Sequence, residues 1–347
     1  MDTMEDKKMV GVAVFGLGRI GRIHTKNLVV NRSVEVRWIV EEFHEDAKEF
    51  VAGTVRLDKT KLIHFKDASQ VWNDEETQAV IVCTPTCTHQ TVIMDALSAG
   101  KAVFCEKPLA PDLTSVRTCY EKAKECGRPL FCGFNRRFDP SKRSLRDRIR
   151  GGEIGQVHRI KIVSRDPKAP TSKYLKDSGD IFHDCVVHEI DLVCWLTNEF
   201  PETVFAQGHA FDPRIAEVGD LDETLVSLKF PSGILATIDS GREASFGYDQ
   251  RLEVHGSKGM LQIGNMRPTE VTVHKSDGAT LDPVQYFFAE RYAESYQMEM
   301  THFIDIVKGE VNSMEVTMED TIRATRLCDI CSESFRRNQA ITCVGVE

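Results

Sequence analysis

The chain has 347 residues, of which 41% are hydrophobic and 28% charged, so it is long enough for two domains and apolar enough to bury a core in each. Its formal net charge is −9 at pH 7, and it has no dense stripe of lysine and arginine; nucleic acid is not an expected partner, because an acidic protein repels phosphate backbones. The sequence has no run of the roughly 18–20 apolar residues that cross a membrane, so no membrane partner is expected either.

The N-terminal part alternates short apolar strands with helical patterns. A buried strand is predicted at Val10–Phe15, because this run is dense in β-branched residues and ends at a glycine. Further strands are predicted at Val34–Val40, Ala79–Cys83, Ala102–Cys105 and Leu130–Gly133, with helices from Ile20, at Gln90–Ser98 and near Ser115–Glu125. Strands that alternate with helices at this spacing predict a doubly wound parallel sheet.

The turn after the first predicted strand has the pattern G-x-G-x-x-G over residues 16–21. A strand precedes it, a helix follows it, and Glu41 lies 20 residues beyond Gly21, which favours a dinucleotide site over a tight turn without a ligand. Gly16 permits the turn, Gly18 lets backbone N–H groups approach a pyrophosphate, and Gly21 lets the helix pack closely. Glu41, or Glu42 if the strand end shifts by one residue, can bind ribose hydroxyls and would repel a 2′-phosphate, which favours NAD over NADP. The predicted cofactor-binding residues here are Gly16, Gly18, Arg19, Ile20, Gly21 and Glu41.

A second loop, Thr84-Pro85-Thr86, follows the strand Ala79–Cys83. Ligands bind at the carboxyl edge of parallel sheets, so Thr84 and Pro85 are predicted to border the cofactor. The alternative is that Pro85 only shapes the turn. His89 lies where the next helix starts and is not included in the predicted catalytic set.

After about residue 135 the pattern changes to longer strands that alternate in polarity. They are predicted at Val157–Ser164, Glu223–Phe230, Ile234–Ser240, Gln250–His255 and Gly259–Ile263. Glycine-rich and proline-rich turns separate them, which predicts an antiparallel sheet with helices on one side. The sequence therefore predicts two domains, residues 1–134 and 135–347.

Three residues are candidates for catalysis. Lys107 directly follows a buried strand within Glu106-Lys107-Pro108, although a lysine at a strand end is by itself more typical of a solvated charge. Asp184 and His188 are four residues apart in a predicted helix and so share one face. A carboxylate beside an imidazole can hold the ring and raise its basicity. By spacing alone a surface pair is the favoured interpretation, and half of a metal site is a further alternative.

Eleven cysteines and a charged start without the apolar core of a signal peptide predict reduced thiols in a cytoplasmic protein. Cys328 and Cys331 form a C-x-x-C pair that could bind a metal or act in redox chemistry. They lie in a helical pattern with no second pair nearby, which favours packed thiols.

The combined motifs resemble those of the Gfo/Idh/MocA oxidoreductases over nearly the whole chain. The matching segments are residues 16–21, Thr84-Pro85-Thr86, Glu106-Lys107-Pro108, residues 133–140 and Asp184-x-x-x-His188. Within this family the chain is most similar to the inositol 2-dehydrogenase group, through residues 247–250, 256–259 and 291–296.

The resemblance implies a Rossmann domain followed by an α/β domain whose large, mostly antiparallel open sheet serves substrate binding and contacts in a homodimer or homotetramer. It implies NAD-dependent oxidation of a secondary hydroxyl of a cyclitol or sugar, with myo-inositol as the best candidate. Lys107 would bind the reacting oxygen, His188 would act as general base, and Asp184 would position it or relay the proton. Glu106 and Lys107 would also contact the cofactor, and no metal is required.

Further substrate contacts are expected from segments that touch substrate in relatives. Arg136 and Asn135 belong to one such segment, with a salt bridge at the edge of the Rossmann domain as the alternative. Asp166 lies in a loop, residues 164–167, that does not closely match the inositol-active relatives, so the exact sugar stays open. For Tyr248 and Tyr296, aromatic packing is an equal alternative. The expected substrate-binding set is Lys107, Asn135, Arg136, Asp166, Asp184, His188, Tyr248 and Tyr296.

Three other functions are compatible with parts of the pattern. One is an NADP(H)-dependent reductase of a keto-sugar or dihydrodiol-type substrate, which Glu41 argues against. Another is a dinucleotide-sensing regulator without catalysis, although such relatives tend to lose the lysine or the histidine. A metalloenzyme using His183, Asp184 and His188 is disfavoured, because adjacent helical residues point in different directions.

Overall fold

The structure is a computed structural model that describes residues 9–54 and 56–343. The chain forms two compact units: one runs up to Asn135 and includes Glu294–Ile322, and the other contains Arg136–Ala293 and the chain from Arg323. The sequence predicts a single boundary at 134/135, which assigns Glu294–Ile322 to the second domain, whereas the structure groups this segment with the first unit. Its aromatic and polar side chains explain the difference: Phe303 packs against Phe104, with 5.7 Å between ring centroids, and Ser295 Oγ accepts a hydrogen bond from Asn135 at 3.0 Å.

The first unit is built on a parallel sheet. Its described residues form six strands in the order β3-β2-β1-β4-β5-β6, all neighbouring pairs being parallel. Apolar, β-branched runs such as β1 are buried along their whole length, as strands covered by helices on both faces must be. The strands are β1 (Val10–Phe15), β2 (Val34–Val40), β3 (Lys61–Ile63), β4 (Thr77–Val82), β5 (Ala102–Glu106) and β6 (Leu130–Gly133). The predicted doubly wound sheet is confirmed.

The strand order reverses between β1 and β4, which creates the crevice where ligands bind in such sheets. The helices of this unit are α1 (Arg19–Val30), α2 (His44–Gly53), α3 (Ser69–Trp72), α4 (Thr86–Ser98), α5 (Leu113–Cys126) and, from its second residue, α11 (Ala293–Val307). A 3₁₀ turn covers Phe65–Asp67.

The second unit is built on a mixed sheet. Within the described part of the chain it has seven strands in the order β12-β11-β7-β10-β9-β8-β15. β7 and β10 are parallel and the remaining neighbouring pairs are antiparallel, which confirms the predicted mostly antiparallel sheet. Burial alternates along β9, so one face of the sheet is covered and the other is open. The strands are β7 (Val157–Arg165), β8 (Thr203–His209), β9 (Glu223–Lys229), β10 (Leu235–Gly241), β11 (Asp249–Gly256), β12 (Gly259–Ile263) and β15 (Ile341–Thr342).

A separate hairpin and several helices complete this unit. The hairpin pairs β13 (Thr272–Lys275) with β14 (Gly278–Leu281). The helices are α6 (Pro140–Arg150), α7 (Ser172–Asp177), α8 (Val187–Thr197), α9 (Pro213–Glu217), α10 (Phe288–Arg291) and α12 (Met318–Arg337), the last from Arg323 onward. A 3₁₀ turn covers Asn135–Phe138.

A π-helical turn, Phe182–Val186, directly precedes α8. The sequence predicts one regular helix through Asp184 and His188, so the π turn departs from that prediction. Asp184 lies inside the wider turn and His188 lies in the first turn of α8. Such turns inside helices are frequent at functional sites.

The two cysteines of the C-x-x-C pair are buried in α12, and Cys328 Sγ donates to the Phe182 carbonyl oxygen at 3.2 Å. Burial raises the pKa of the Cys331 thiol well above its usual value. Both observations favour packed thiols. Among the described residues, none of the helices has the length and apolar content needed to cross a membrane.

Candidate active site

The glycine loop, residues 16–21, joins β1 to α1. Gly16 has φ +88°, and a Cβ there would lie 2.7 Å from the Cys83 carbonyl oxygen. A Cβ at Gly21 would lie 2.0 Å from the Gly16 carbonyl oxygen, so both positions require glycine. A Cβ at Gly18 would have no neighbouring atom within 4 Å, which leaves the open side of the loop accessible to a ligand.

The start of α1 is suited to an anionic group. Gly18 is the N-cap, no side chain caps the helix, and the first turn contains no acidic residue. The unsatisfied N–H groups of a helix N-terminus and the positive end of its dipole bind phosphate groups. The loop and helix therefore fit the pyrophosphate of a dinucleotide.

Glu41 follows β2 and its carboxylate lies against the glycine loop. It accepts a hydrogen bond from the Leu17 N–H at 2.5 Å, and its other oxygen accepts from the backbone of Glu42 and Phe43 at 2.8 and 3.0 Å. The Glu42 side chain is 63% exposed and lies 3.8 Å from His64. Of the two acidic residues, Glu41 is the one whose carboxylate contacts the loop.

Thr84 and Lys107 follow the neighbouring strands β4 and β5 at the carboxyl edge of the same sheet. The Thr84 hydroxyl accepts from the Thr88 hydroxyl at 2.7 Å, and the next residue, Pro85, is the N-cap of α4. The Lys107 side chain is half-buried. The first unit thus carries the predicted cofactor loops and the predicted catalytic lysine on one sheet edge.

The Glu106 side chain turns into the first unit. Its Oε1 lies 2.5 Å from His24 Nε2, and both side chains are buried. Ligand atoms of His24, Glu106 and the buried Glu299 all lie within 4.8 Å of one another. The Glu106 carboxylate is therefore part of this buried group of side chains. If Glu106 contacts the cofactor, it would do so through its backbone.

Asp184 belongs to the second unit, where two side chains from outside its own helical turn donate hydrogen bonds to it. Asp184 accepts from the Tyr174 hydroxyl at 2.8 Å and from Arg242 Nη1 at 2.8 Å. Arg242 is 1% exposed and donates through Nη2 to Asp220 at 2.7 Å. We call Tyr174, Asp184, Asp220 and Arg242 the Asp184 cluster.

The cluster keeps Asp184 as a fixed hydrogen-bond acceptor. Burial, followed by the charge of Asp184, raises the pKa of Tyr174, so the phenol stays a neutral donor. Burial raises the pKa of Asp220 above its ordinary value, and the charge of the buried Arg242 opposes this effect. No local sequence pattern identifies Tyr174, Asp220 or Arg242 as part of the site, because only the fold brings their side chains together with Asp184.

His188 is half-buried in the first turn of α8. His183, which directly precedes Asp184 in the chain, lies between two acids: its Nδ1 is 2.6 Å from Asp180 and its Nε2 is 3.1 Å from Asp329. Burial alone would lower the pKa of His183, but the two carboxylates outweigh it and raise the pKa to about 9. His183 is therefore a cation held by carboxylates, which disfavours it as a metal ligand.

Arg136 and Tyr248 lie inside the second unit. The Arg136 guanidinium contacts the buried Glu189 carboxylate, and its Nη2 lies 3.4 Å from the Tyr248 hydroxyl. This placement favours the salt-bridge interpretation of Arg136, although its partner belongs to α8 and not to the Rossmann edge. Asp166 follows β7, is half-buried, and donates its N–H to the Gly241 carbonyl oxygen at 2.9 Å.

Asn135 and Tyr296 lie inside the first unit. Asn135 donates to Ser295, as described above, and the Tyr296 ring packs edge-on against His24, with centroids 5.6 Å apart. Tyr296 is 7% exposed, which favours the packing interpretation.

A parallel sheet with a glycine loop, an uncapped helix start and an acidic residue at the end of β2 is typical of a protein that binds NAD. Comparison with known families gives the same class. Residues 10–134 match the oxidoreductase family with an NAD-binding Rossmann fold, and residues 143–262 match the GFO/IDH/MocA C-terminal domain. The chain belongs to the GFO/IDH/MocA oxidoreductases, which confirms the resemblance stated above.

Individual relatives are similar over most of their length. The chain is 39% identical to a myo-inositol 2-dehydrogenase of Thermotoga maritima, covering 86% of this chain and 88% of the relative. It is 36% identical to an inositol 2-dehydrogenase of Rhizobium meliloti, covering 96% and 99%.

Solved structures agree. A myo-inositol dehydrogenase from Corynebacterium glutamicum superposes with a TM-score of 0.89 at 33% identity, covering 97% of this chain and all of that one. The scyllo-inositol dehydrogenase of Lactobacillus casei, solved with NAD(H) and scyllo-inositol, gives 0.88 at 26% identity, with 96% and 99% covered. The protein is an oxidoreductase that uses NAD and acts on CH–OH groups, and the comparisons favour neither the reductase nor the sensor alternative.

Proposed function

We propose that the protein oxidises a secondary hydroxyl group of a cyclitol to a ketone, with myo-inositol as the best candidate substrate. The observation that carries this proposal is the extent of the likeness. Relatives named for inositol oxidation match both units, and one such structure holds both NAD(H) and an inositol. A likeness confined to the Rossmann domain would support only cofactor binding.

When bound, NAD⁺ supplies the acceptor for the hydride that leaves the substrate carbon. His188 takes the hydroxyl proton as general base, so that the C–O bond becomes a carbonyl. Lys107 donates a hydrogen bond to the reacting oxygen and stabilises the negative charge that develops there. Asp184 orients His188, and the donors Tyr174 and Arg242 hold Asp184 in place.

Cofactor choice rests on Glu41. Its carboxylate lies on the glycine loop, where it can accept hydrogen bonds from ribose hydroxyls and repel a 2′-phosphate. The remaining cofactor-binding residues are those that surround this loop and follow β4 and β5, namely Gly16, Gly18, Arg19, Ile20, Gly21, Thr84, Pro85, Glu106 and Lys107.

We propose that five further polar side chains recognise the substrate, namely Asp166, Asn135, Arg136, Tyr248 and Tyr296. Asp166 is the most accessible of them, since it is half-buried directly after β7. Asn135, Arg136, Tyr248 and Tyr296 are largely enclosed, so we assign them a supporting role in substrate binding.

We also propose a homodimer or homotetramer in the cytoplasm. The open face of the second sheet includes Leu225 and Leu235, which are 56% and 50% exposed. Apolar side chains on an open sheet face are typical of an interface between subunits. Light scattering on the purified protein gives the mass, and a monomer at micromolar concentration would refute this part.

The experiment is an absorbance assay at 340 nm with NAD⁺ or NADP⁺ and a panel of myo-inositol, scyllo-inositol, chiro-inositol and aldoses. We expect NADH formation with at least one inositol, and a strong preference for NAD⁺. Glu41→Gln is the matched variant for cofactor choice, and it should improve the relative use of NADP⁺. No absorbance rise with any cyclitol would overturn the proposed substrate class.

A further inference from the structure

His89 connects two loops of the first unit. Its ring is 2% exposed and projects from the first turn of α4. Nε2 lies 2.8 Å from the Thr84 carbonyl oxygen, and Nδ1 lies 2.9 Å from the Pro108 carbonyl oxygen. Thr84 follows β4 and Pro108 is the second residue after β5, so one side chain reaches the two loops that leave neighbouring strands.

We propose that His89 is a positioning residue that fixes the distance between the loop after β4 and the loop that carries Lys107. The role of Lys107 in this statement rests on the proposed function. Thr84 is expected to border the cofactor and Lys107 the reacting oxygen, so the spacing of their loops sets how the substrate carbon meets the hydride acceptor.

The chemistry of the ring explains why a histidine suits this position. Two rigid carbonyl groups lie on opposite sides of the side chain, and imidazole presents a nitrogen toward each. Burial lowers the pKa of His89 below its usual value, although the two carbonyl groups and the charge of Glu106 oppose this effect. The ring is therefore mainly neutral near neutral pH and carries one N–H.

A neutral ring donates to one carbonyl at a time. Cys105 Sγ lies 3.3 Å from Nδ1, and burial raises the pKa of this thiol well above its usual value, so it keeps its proton. With the ring proton on Nε2, His89 donates to Thr84 and accepts from Cys105. With the proton on Nδ1, it donates to Pro108. In both tautomers Nδ1 links α4 to the segment that carries Lys107, by donating to Pro108 or by accepting from Cys105 of β5.

Val92 provides a matched control for this role. It lies three residues further along α4, is 1% exposed, and is purely apolar. Val92→Ala removes buried volume from the same helix without touching either carbonyl. A loss of kcat in a His89 variant that exceeds the loss in Val92→Ala is therefore attributed to the hydrogen bonds of His89.

The test compares His89→Leu, which keeps the approximate volume, with His89→Gln, which can still donate to one carbonyl, and with Val92→Ala. We expect His89→Leu to lower kcat about 10- to 100-fold, because small misplacements of reacting groups cost this much. His89→Gln should recover part of the loss, and Val92→Ala should keep kcat within about twofold despite a lower Tm. A substrate deuterated at the reacting carbon should show a larger isotope effect in His89→Leu than in the wild type.

Hydrogen exchange of backbone amides tests whether His89 holds the two loops, without any assay of activity. His89→Leu should exchange faster than Val92→Ala in peptides covering residues 83–88 and 105–110. Equal exchange in the two variants, with equal kcat, would overturn the inference and leave His89 as ordinary core. If His89→Leu exchanges faster but the wild type oxidises no cyclitol, the role of His89 in holding the loops is supported and the proposed function is contradicted. If His89→Leu does not accumulate, His89→Gln takes its place in both comparisons.

Discussion

The glycine loop of the first unit is shaped by its own backbone, whereas the Asp184 cluster of the second unit is held by side chains from distant parts of the chain. In the loop, Gly16 and Gly21 are required because a Cβ at either would collide with a neighbouring carbonyl group. In the cluster, Arg242 reaches Asp184 across 58 residues of sequence and Asp220 across 22. The two regions therefore fail in different ways when they are altered.

Where a site is shaped by the backbone, a substitution into open space should leave the fold stable and weaken only ligand binding. Where a site is held by buried charged side chains, a substitution should lower the free energy of unfolding and also disturb the geometry of the site. Three variants, each paired with a control variant, are expected to separate these two kinds of failure.

The largest effect is expected for Arg242→Met. This change leaves Asp184 and Asp220 buried without their shared cation, which should lower the free energy of unfolding by about 3–5 kcal/mol. Urea denaturation measures this loss, and kcat of the remaining folded enzyme should also fall because Asp184 is no longer held.

Arg214→Met is the control for this experiment. Its pair with Asp212 lies at the surface, the Arg214 side chain being 61% exposed, so removing it should leave the free energy of unfolding close to that of the wild type. Equal stability losses in Arg242→Met and Arg214→Met would show that the buried cluster has no special role.

A smaller effect is expected from the pH dependence of His183. Its pKa is raised to about 9 by Asp180 and Asp329, after opposition from burial. A raised pKa contributes stability that is complete below the unfolded value near 6.5 and is lost as pH rises through 9, on the order of 3 kcal/mol. His183→Gln should lack this loss between pH 6.5 and 9.5, while the exposed His274→Gln should follow the wild type. Parallel curves for wild type and His183→Gln would contradict the assignment.

The smallest effect is expected for Gly18→Ala. The added Cβ has open space around it, so the melting temperature should stay near that of the wild type. The same space is where a pyrophosphate would approach, so the Kd for NADH should rise about tenfold, or about 1.4 kcal/mol. Gly53→Ala, also in open space but at the end of α2, should change neither quantity. Fluorescence titration with NADH measures the Kd, and thermal denaturation measures the melting temperature. An unchanged Kd for Gly18→Ala would place the phosphates elsewhere.

The same contrast explains how much the sequence alone could predict. The parallel sheet, the glycine loop and most strands of the second sheet follow from local patterns, and the predicted fold class is confirmed. Three features depend on tertiary structure. The π turn at Phe182–Val186 has no local sequence signal. Glu294–Ile322 packs with a unit whose other residues are far from it in the sequence. Nothing in the sequence around Arg242 indicates that the fold buries it.

His89 illustrates the same limit on a smaller scale. Its position at the start of α4 is visible in the sequence, but its two carbonyl partners are not, because Pro108 lies 19 residues away. Hydrogen bonds from side chain to backbone between neighbouring strand ends require the register of the sheet, which no local pattern supplies.

The central claim is tested most directly by the rate of NADH formation with saturating myo-inositol, compared between the wild type and His188→Ala. We expect turnover by the wild type and a loss of about 10²- to 10⁴-fold in His188→Ala, with an unchanged Kd for NADH, because a general base is removed while the cofactor site is kept. Equal rates in the two proteins, or no NADH from the wild type with myo-inositol or any other cyclitol, would contradict the account.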